Sequence, residues 1–270
     1  MTQIILLDGS QSVQDKLAFM NQKNKTMVIA AGGKGKRLKD HFAEVGYSGT
    51  KILYPVYGKP LLQHVIETAL TAGMKRIFIL TKHDTESVTR FLQDKYHYDN
   101  RVVVRTSAQD TTISAELLSL EEELAEPFVY ADGNILYSPS LLRSLINQES
   151  LSLATIAIIE KDYAPTHLSV LMANNGTISN IGTRLSQAAH LRNGDEHQYC
   201  SLGVMRFHPG IFDILKQHRS ISDLDYLIEY LYNSKELKKE LSTFIYDGEW
   251  SGLHVEEDIK KMEEYVKTYF

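Results

Sequence analysis

The stretch Thr26-Met-Val-Ile-Ala-Ala-Gly-Gly-Lys-Gly-Lys-Arg-Leu38 decides the fold of this chain. Its first six residues form a continuous apolar run, which predicts a buried parallel strand. The glycines that follow let the backbone approach a phosphate chain closely, with amide N–H groups turned towards it. Arg37 can bridge two phosphate oxygens with its planar guanidinium. The stretch therefore predicts a strand followed by a phosphate-binding loop; the alternative is a tight turn with solvated lysines.

The loop differs from the two best-known phosphate loops. It is not a P-loop, because no Gly-Lys-Ser/Thr follows at the required spacing. It is also not a dinucleotide-binding fingerprint, because Leu38 stands where the third glycine belongs.

Strand-like and helix-like segments alternate from residue 26 to about residue 148. Such alternation predicts an α/β fold with a doubly wound, mostly parallel (Rossmann-like) sheet. Pro60 is expected at the first position of a helix, and Asp84 or Thr85 is expected to cap the start of the next helix. The expected strands are Thr26–Ala31, Arg76–Thr81, Val102–Arg105 and Phe128–Ala131, and a further helix is expected near Ser114–Leu124.

The second half is rich in hairpin signals. Asn174-Asn175-Gly176 separates two strand-like runs and predicts a β-hairpin. With no repeat and no linker, we expect residues 26–270 to form one nucleotide-binding domain and residues 1–25 to be an N-terminal extension. That extension is expected to pack on the sheet edge; the alternative is a second subunit, and hence a homo-oligomer. The other expected elements are strands at Leu153–Glu160, Leu168–Met172, Thr177–Ile181, Gln198–Phe207 and Leu241–Tyr246, and helices at Pro209–Gln217, Leu224–Tyr232 and Glu256–Tyr269.

Composition narrows the classes of function. The 270 residues carry a formal net charge of −5, which gives no reason to expect a nucleic-acid partner. The single cysteine, Cys200, rules out a disulfide framework and is typical of a reducing compartment. The apolar run Ile4–Leu7 is far shorter than the roughly 20 residues that span a bilayer. We therefore expect a cytoplasmic protein without a membrane partner.

The segment Lys51-Ile-Leu-Tyr-Pro-Val-Tyr-Gly-Lys-Pro60, followed by Leu62, Ile66, Glu67 and Ala72-Gly73, carries a resemblance. Together with the glycine loop it resembles the sugar-phosphate nucleotidyltransferase family, whose pattern is A-G-G-x-G-x-R-L and then P-K-x-L-x-P-V-x-G-K-P-x-L. The resemblance covers residues 27–81 closely. The chain departs from the pattern at Lys39–Thr50, which is longer than usual and has Thr50 where the family proline stands.

The resemblance implies an enzyme that transfers a nucleoside monophosphate from a nucleoside triphosphate to a sugar-1-phosphate or related phosphomonoester. Arg37 would then hold the triphosphate and Lys51 would contact phosphate. Thr106 stands where uridylyl- and thymidylyltransferases have a base-reading glutamine, which counts against UTP and dTTP, although Gln109 is close. The residues that the resemblance places at the nucleotide are Ala31, Gly32, Gly33, Lys34, Gly35, Lys36, Thr106, Gln109, Thr111 and Thr112.

The family pattern becomes weaker in the second half but stays in register. Asn180-Ile-Gly-Thr-Arg184 lies where the family has E-K-P, so Arg184 would take the place of the lysine that contacts the acceptor phosphate. Ser201-Leu-Gly-Val-Met-Arg-Phe207 resembles N-x-G-I-Y-x-F, which would put Gly203 beside the acceptor.

The metal positions depart from the family. The family has an aspartate in a G-D pair, where this chain has Asn134; Asp132 lies two residues earlier and faces the same way if the segment is a strand. The second family aspartate, in W-x-D, is replaced by Gly252, and His254 or Asp247 would substitute. The expected cofactor is therefore Mg²⁺ or Mn²⁺ held by Asp132, Asn134 and His254, more weakly than is usual for the family, with Asp132 also catalytic.

Two alternatives to an active nucleotidyltransferase stay open at this point. One is a catalytically degenerate relative that binds a nucleotide or a partner subunit, because the metal positions are altered. The other is a glycosyltransferase in which Asp132-Gly-Asn134 is a degenerate Asp-x-Asp motif. The glycine loop and Lys51, which are typical of nucleotidyltransferases, argue against this alternative.

Overall fold

A computed structural model describes residues 25–97, 99–148, 150–160, 168–182 and 196–270. The hypothesis that the first 25 residues form an extension falls almost entirely outside these ranges, and so does the predicted role of Arg184. Within the described ranges, no helix is both long enough and apolar enough to cross a membrane.

Strands and helices alternate through the first half, as the sequence predicts, and strands dominate the middle of the second half. The strands are β1 (Thr26–Ala30), β2 (Pro55–Val56), β3 (Lys59–Pro60), β4 (Arg76–Thr81), β5 (Val102–Thr106), β6 (Phe128–Asp132), β7 (Ile135–Tyr137), β8 (Ala154–Glu160), β9 (Ser169–Ala173), β10 (Ile178–Gly182), β11 (Glu196–Phe207), β12 (Leu241–Ile245) and β13 (Trp250–Gly252). The helices are α1 (Lys39–Glu44), α2 (Leu61–Thr71), α3 (Thr85–Tyr96), α4 (Ile113–Leu118), α5 (Pro139–Ile146), α6 (Ile211–Gln217), α7 (Leu224–Asn233) and α8 (Glu257–Tyr269).

The main sheet is mixed and has a parallel core. Strand β1 lies in the middle, paired in parallel with β4 on one side and β6 on the other, and β5 extends the sheet beyond β4. The apolar run of β1 is buried because helices and the second-half elements cover both faces of the sheet. Alternate residues of β1 belong to different apolar clusters: Met27 and Ile29 to one, Val28 to the other. The predicted α/β, Rossmann-like class is confirmed.

The second half joins this core through β11, a strand of 12 residues. It pairs antiparallel with β6, β8 and β9, and β12 is added to β8 in parallel. The register of β11 against β8 shifts between Ser201 and Met205, around Gly203, whose φ of 65° is left-handed. The predicted hairpin at Asn174–Gly176 is confirmed and joins β9 to β10.

Local details differ from the sequence predictions where pairing partners decide them. Lys59 and Pro60 form the short strand β3, paired with β2, so α2 begins at Leu61 and not at Pro60. The helix expected near Ser114–Leu124 ends at Leu118 and continues as turns. Strands β7 and β13 pair with each other across more than a hundred residues, which local periodicity does not indicate.

Candidate active site

A cleft of about 340 Å³ opens at the carboxyl ends of β1, β4 and β6. Ligands of open α/β sheets bind at this edge, outside the carboxyl ends of the strands. Of the residues predicted from the sequence, the cleft brings together Gly32, Gly33, Arg37, Lys51, Asp132, Asn134, Gly203 and His254.

The glycine loop packs tightly against two lysines. A Cβ on Gly32 would lie 2.7 Å from Cγ of Lys82, and a Cβ on Gly35 would lie 3.0 Å from Cβ of Lys51. Gly35 also has a φ of 62°, which is left-handed and favours glycine. The loop then turns into a short 3-10 helix, Lys36–Leu38, which carries Arg37 at the cleft. Glycine at positions 32 and 35 thus allows the loop to approach the cleft wall.

Lys51 and Asp132 carry opposite charges, and both line the cleft. Burial lowers the pKa of Lys51 to about 8; the negative charge of Asp132 opposes this shift and Arg37 adds to it. Burial also raises the pKa of Asp132 to about 6, with Lys51 opposing the shift and Asp223 adding to it. These two half-buried groups of opposite charge therefore partly compensate each other's desolvation.

Asp132 is positioned by the sheet. It is the last residue of β6 and pairs in parallel with Ala30, the last residue of β1. The space in front of it is kept open by Gly203, where a Cβ would lie 2.6 Å from Oδ2 of Asp132. The pairing of the two strand ends thus places the Asp132 carboxylate next to the start of the glycine loop.

Asn134 and His254 reach the cleft by a different route from the one predicted. The chain turns at Gly133, so Asp132 and Asn134 do not lie on one extended strand. The side-chain Nδ2 of Asn134 donates to the carbonyl of Leu253 at 3.1 Å, and this leaves its amide oxygen as the possible ligand atom. His254 follows the end of β13, and Nε2 would lie 2.6 Å from a Cβ on Gly252. The imidazole thus fills the space of the missing side chain, while Asp247 is exposed and outside the cleft lining.

Several predicted nucleotide contacts stand at the rim or further away. Thr106 and Gln109 are exposed on β5 and the loop that follows, and neither lines the cleft. Thr111 meets the cleft wall through its carbonyl, to which Lys82 Nζ donates at 3.1 Å, while Thr112 caps α4 by accepting from the backbone N–H of Ala115. The remaining loop residues divide by exposure: Ala31 is buried, and Lys34 and Lys36 are exposed.

Three acidic residues of the cleft lining were not predicted. Glu116 is buried and accepts from Ser107 Oγ, and its Oε2 lies 3.4 Å from Nζ of Lys82. Asp223 and Asp225 enter the cleft from the start of α7. Asp223 also caps α7, accepting from the backbone N–H of Tyr226.

Several carboxylates lie near one another on the side of the cleft formed by the start of α7. Burial raises the pKa of Asp225 to about 7, with the charges of Asp132, Asp223 and Glu229 adding to the shift. Carboxylates that raise each other's pKa values gain from a nearby cation.

The residues present fit a divalent cation only in part. Asp132 offers a carboxylate, Asn134 an amide oxygen and His254 an imidazole, while Gly252 offers no side chain. Mg²⁺ prefers oxygen ligands with negative charge, and among these three side chains only Asp132 provides one.

Comparisons with known proteins identify a family and related folds. The model of the nucleotidyl transferase family matches residues 26–253. The bifunctional protein GlmU of Exiguobacterium sibiricum is 26% identical over 162 residues, which are 58% of this chain and 34% of that protein. GlmU of Symbiobacterium thermophilum is 24% identical over 156 residues, which are 58% of this chain and 30% of that protein. The match thus spans about a third of the length of these curated relatives.

Solved structures share the fold at low sequence identity. A proposed glucose-1-phosphate thymidylyltransferase from Bacillus anthracis, crystallised with a sucrose, aligns with a TM-score of 0.72 and 17% identity, over 90% of this chain and 95% of that one. The inositol-1-phosphate CTP transferase from T. maritima aligns with a TM-score of 0.69 and 16% identity, over 90% of this chain and 96% of that one.

Proposed function

The chain belongs to the nucleotidyl transferase family, and we propose that it moves a nucleoside monophosphate from a nucleoside triphosphate to a phosphomonoester, releasing pyrophosphate. The acceptor class that we propose is a sugar-1-phosphate or an alcohol phosphate. The names of the relatives and neighbours, which include a thymidylyltransferase and an inositol-phosphate transferase, support this class.

One observation carries the proposal: Arg37, Lys51 and Asp132 line one cleft at the end of β1 and β6. Two cations beside a glycine loop suit a triphosphate, because phosphate oxygens accept from guanidinium, ammonium and backbone N–H groups. The carboxylate of Asp132, which lines the same cleft, suits a cation that accompanies the triphosphate. This combination favours phosphoryl-type transfer over binding of a neutral ligand.

The chemistry needs little from the protein beyond position and charge. A phosphomonoester has its second pKa near about 6, so near neutral pH it attacks as the dianion without a general base. Its oxygen forms a bond to the α-phosphorus while the bond to the bridging oxygen of pyrophosphate breaks. Arg37 and Lys51 would neutralise the charge that develops on the phosphates, and Gly203 would leave room for the acceptor.

A divalent cation held at Asp132, when bound, would supply further neutralisation of phosphate charge. We propose Mg²⁺ or Mn²⁺ in this role, with Asn134 and His254 as neutral ligands. Because only one of the three proposed ligands is anionic, binding is expected to be weak in the absence of nucleotide.

The alternative is a degenerate family member that binds a nucleotide or a partner subunit without turnover. The observation that favours it is the imidazole of His254 in the space of the missing side chain at Gly252. A cation held by one carboxylate binds more weakly than one held by two, so less of the protein would carry the cation.

A measurement of pyrophosphate release distinguishes an active transferase from the degenerate alternative. The protein is incubated with each of the five common triphosphates, Mg²⁺ or Mn²⁺, and a panel of sugar and alcohol phosphates. Release with one pair, abolished by Lys51→Ala and by Asp132→Asn but retained by the exposed control Lys75→Ala, supports the transferase. Nucleotide binding without release for every pair would establish the degenerate alternative.

A further inference from the structure

Three side chains outside the cleft converge where α1 meets the start of α8. One nitrogen of His41 and one carboxylate oxygen each of Glu44 and Glu256 lie within 4.8 Å of one another. His41 and Glu44 are three residues apart on α1 and share a face, while Glu256 directly precedes α8. The contact between Nδ1 of His41 and Oε1 of Glu256 is 3.2 Å.

The imidazole is held in place by aromatic neighbours. Nε2 of His41 lies 3.3 Å from Oη of Tyr54, and the two rings meet edge to face at 6.1 Å. Tyr54 in turn stacks on Phe42 at 5.0 Å. The His41 side chain is only 14% exposed. A ring fixed in this way loses little entropy when it binds a ligand.

The surroundings of the two ring nitrogens differ. Tyr54 can accept from an Nε2–H, which leaves Nδ1 with its lone pair directed at the carboxylates. Nδ1 is shielded from solvent, and in the described part of the chain it has no hydrogen bond of good geometry. A bare nitrogen beside two carboxylates is unfavourable unless a proton or a metal cation lies between them. Metal-ligating histidines characteristically donate their other N–H to an oxygen, as His41 can to Tyr54.

We propose that His41, Glu44 and Glu256 bind a divalent cation of the zinc class, at a site separate from the cleft. One imidazole nitrogen and two carboxylate oxygens are ligands that Zn²⁺ uses in tetrahedral sites, with a water completing the set. At Zn–ligand distances of about 2.0 Å, neighbouring ligands are separated by about 3.3 Å. The His41–Glu256 contact already has this spacing, and Glu44 is exposed and free to rotate towards it.

The backbone that carries Glu256 is fixed independently of the site. Oδ2 of Asp258 accepts from the backbone N–H groups of His254 and Val255, at 2.8 and 3.0 Å. A bound cation therefore connects α1, which directly follows the turn with Arg37, to the segment that places His254 in the cleft. The site would hold two walls of the cleft at a fixed distance without contacting its ligand.

The test is a Zn²⁺ titration of the chelator-treated full chain by calorimetry, without nucleotide. We expect Glu44→Gln and Glu256→Gln each to weaken one Zn²⁺ site by about tenfold or more, since each removes a charged ligand. Asp132→Asn should leave that site unchanged, because Asp132 belongs to the cleft. Glu160→Gln is the matched control: Glu160 also lies beside a histidine, His197 at 3.6 Å, but not in a three-ligand group of the described residues.

The spectrum of Co²⁺ bound in place of Zn²⁺ gives a second readout, which His41→Gln should abolish. Glu44 is exposed, so Glu44→Gln keeps the test valid if His41→Gln does not fold. Equal Zn²⁺ affinity in the wild type, Glu44→Gln and Glu256→Gln would overturn the proposal. A second pair of results would also overturn it: the melting temperature of the wild type does not respond to Zn²⁺, and Glu256→Gln has a lower melting temperature than the wild type. The contact would then be only an ion pair between His41 and Glu256.

Discussion

The imidazole of His254 occupies the space into which a side chain at position 252 would project: a Cβ on Gly252 would lie 2.6 Å from Nε2 of His254. The two positions therefore exclude each other sterically. Restoring a carboxylate at position 252 is possible only if the imidazole moves.

This exclusion gives a double-variant prediction. Gly252→Asp alone should tighten Mg²⁺ binding little, because His254 competes for the space. Gly252→Asp with His254→Ala should tighten it clearly, because a second carboxylate then faces Asp132. The Mg²⁺ concentration for half-maximal nucleotide binding, or for half-maximal pyrophosphate release, measures the effect. If the single and double variants respond to Mg²⁺ equally, steric exclusion is not what keeps the site weak.

Gly203 is expected to tolerate no side chain. Gly203→Ala adds a Cβ to a residue in the left-handed conformation, which costs about 1–2 kcal/mol. The added Cβ would also lie 2.6 Å from Oδ2 of Asp132. Gly176→Ala is the matched control, with a φ of 79° and open space around the added Cβ. Urea unfolding should show a loss of stability in both variants. Only Gly203→Ala should also lose activity or metal response; equal behaviour would separate Gly203 from the site.

Arg37 should contribute mainly to triphosphate affinity. It is exposed at the cleft, so Arg37→Ala removes a charged donor without opening a cavity. The expected loss is about 1.5–3 kcal/mol of binding free energy. Calorimetry with the preferred triphosphate measures it, with Arg90→Ala on the exposed face of α3 as the control. Unchanged affinity in Arg37→Ala would remove Arg37 from the phosphate site.

Triphosphate affinity should fall above about pH 8. Burial lowers the pKa of Lys51 to about 8, so its ammonium form is lost as the pH rises through that value. Each further pH unit should then weaken binding by up to about tenfold, until other groups titrate. Lys51→Arg stays charged and should flatten the profile between pH 7.5 and 9.5, provided that the longer side chain is accommodated. Identical pH profiles for the wild type and Lys51→Arg would mean that Lys51 does not contact phosphate.

The acidic side of the cleft should destabilise the free protein at high pH. The pKa of Asp225 is raised from 3.8 to about 7, so its contribution to stability is present below pH 3.8 and is lost as the pH rises through 7. Asp225→Asn should therefore be more stable than the wild type at pH 8, by about 1–3 kcal/mol, and no more stable near pH 4. Denaturant unfolding at both pH values tests this, with exposed Asp94→Asn as the control. A gain that is equal at both pH values would exclude ionisation as its cause.

The sequence predicts the parallel core well because its signals are local. The apolar run of β1, the glycines after it and the helix that ends just before Ala72-Gly73 are each encoded within a dozen residues. The residues that these signals place at the end of β1, among them Arg37 and Gly32, do line the cleft.

The other wall of the cleft depends on contacts that local patterns do not encode. Asp225 looks like an ordinary acidic residue in the first turn of a helix, and only the packing of α7 brings it to the cleft. The pairing of β7 with β13 is likewise set by tertiary contacts, so the turn between Asp132 and Asn134 could not be distinguished from a continuous strand. Glutamates are mostly exposed in folded proteins, yet Glu116 is 5% exposed.

The backbone of Leu253 has a consequence for how the protein is made. Its N–H donates to the carbonyl of Asn134 and its carbonyl accepts from the Asn134 side chain, across 119 positions of sequence. A ribosome must therefore translate at least through Leu253, and release it from the exit tunnel, before the turn beside Asp132 can take its final form. The glycine loop is translated well before Leu253, whereas the proposed metal ligands Asp132 and Asn134 reach their final positions only after Leu253 has been made.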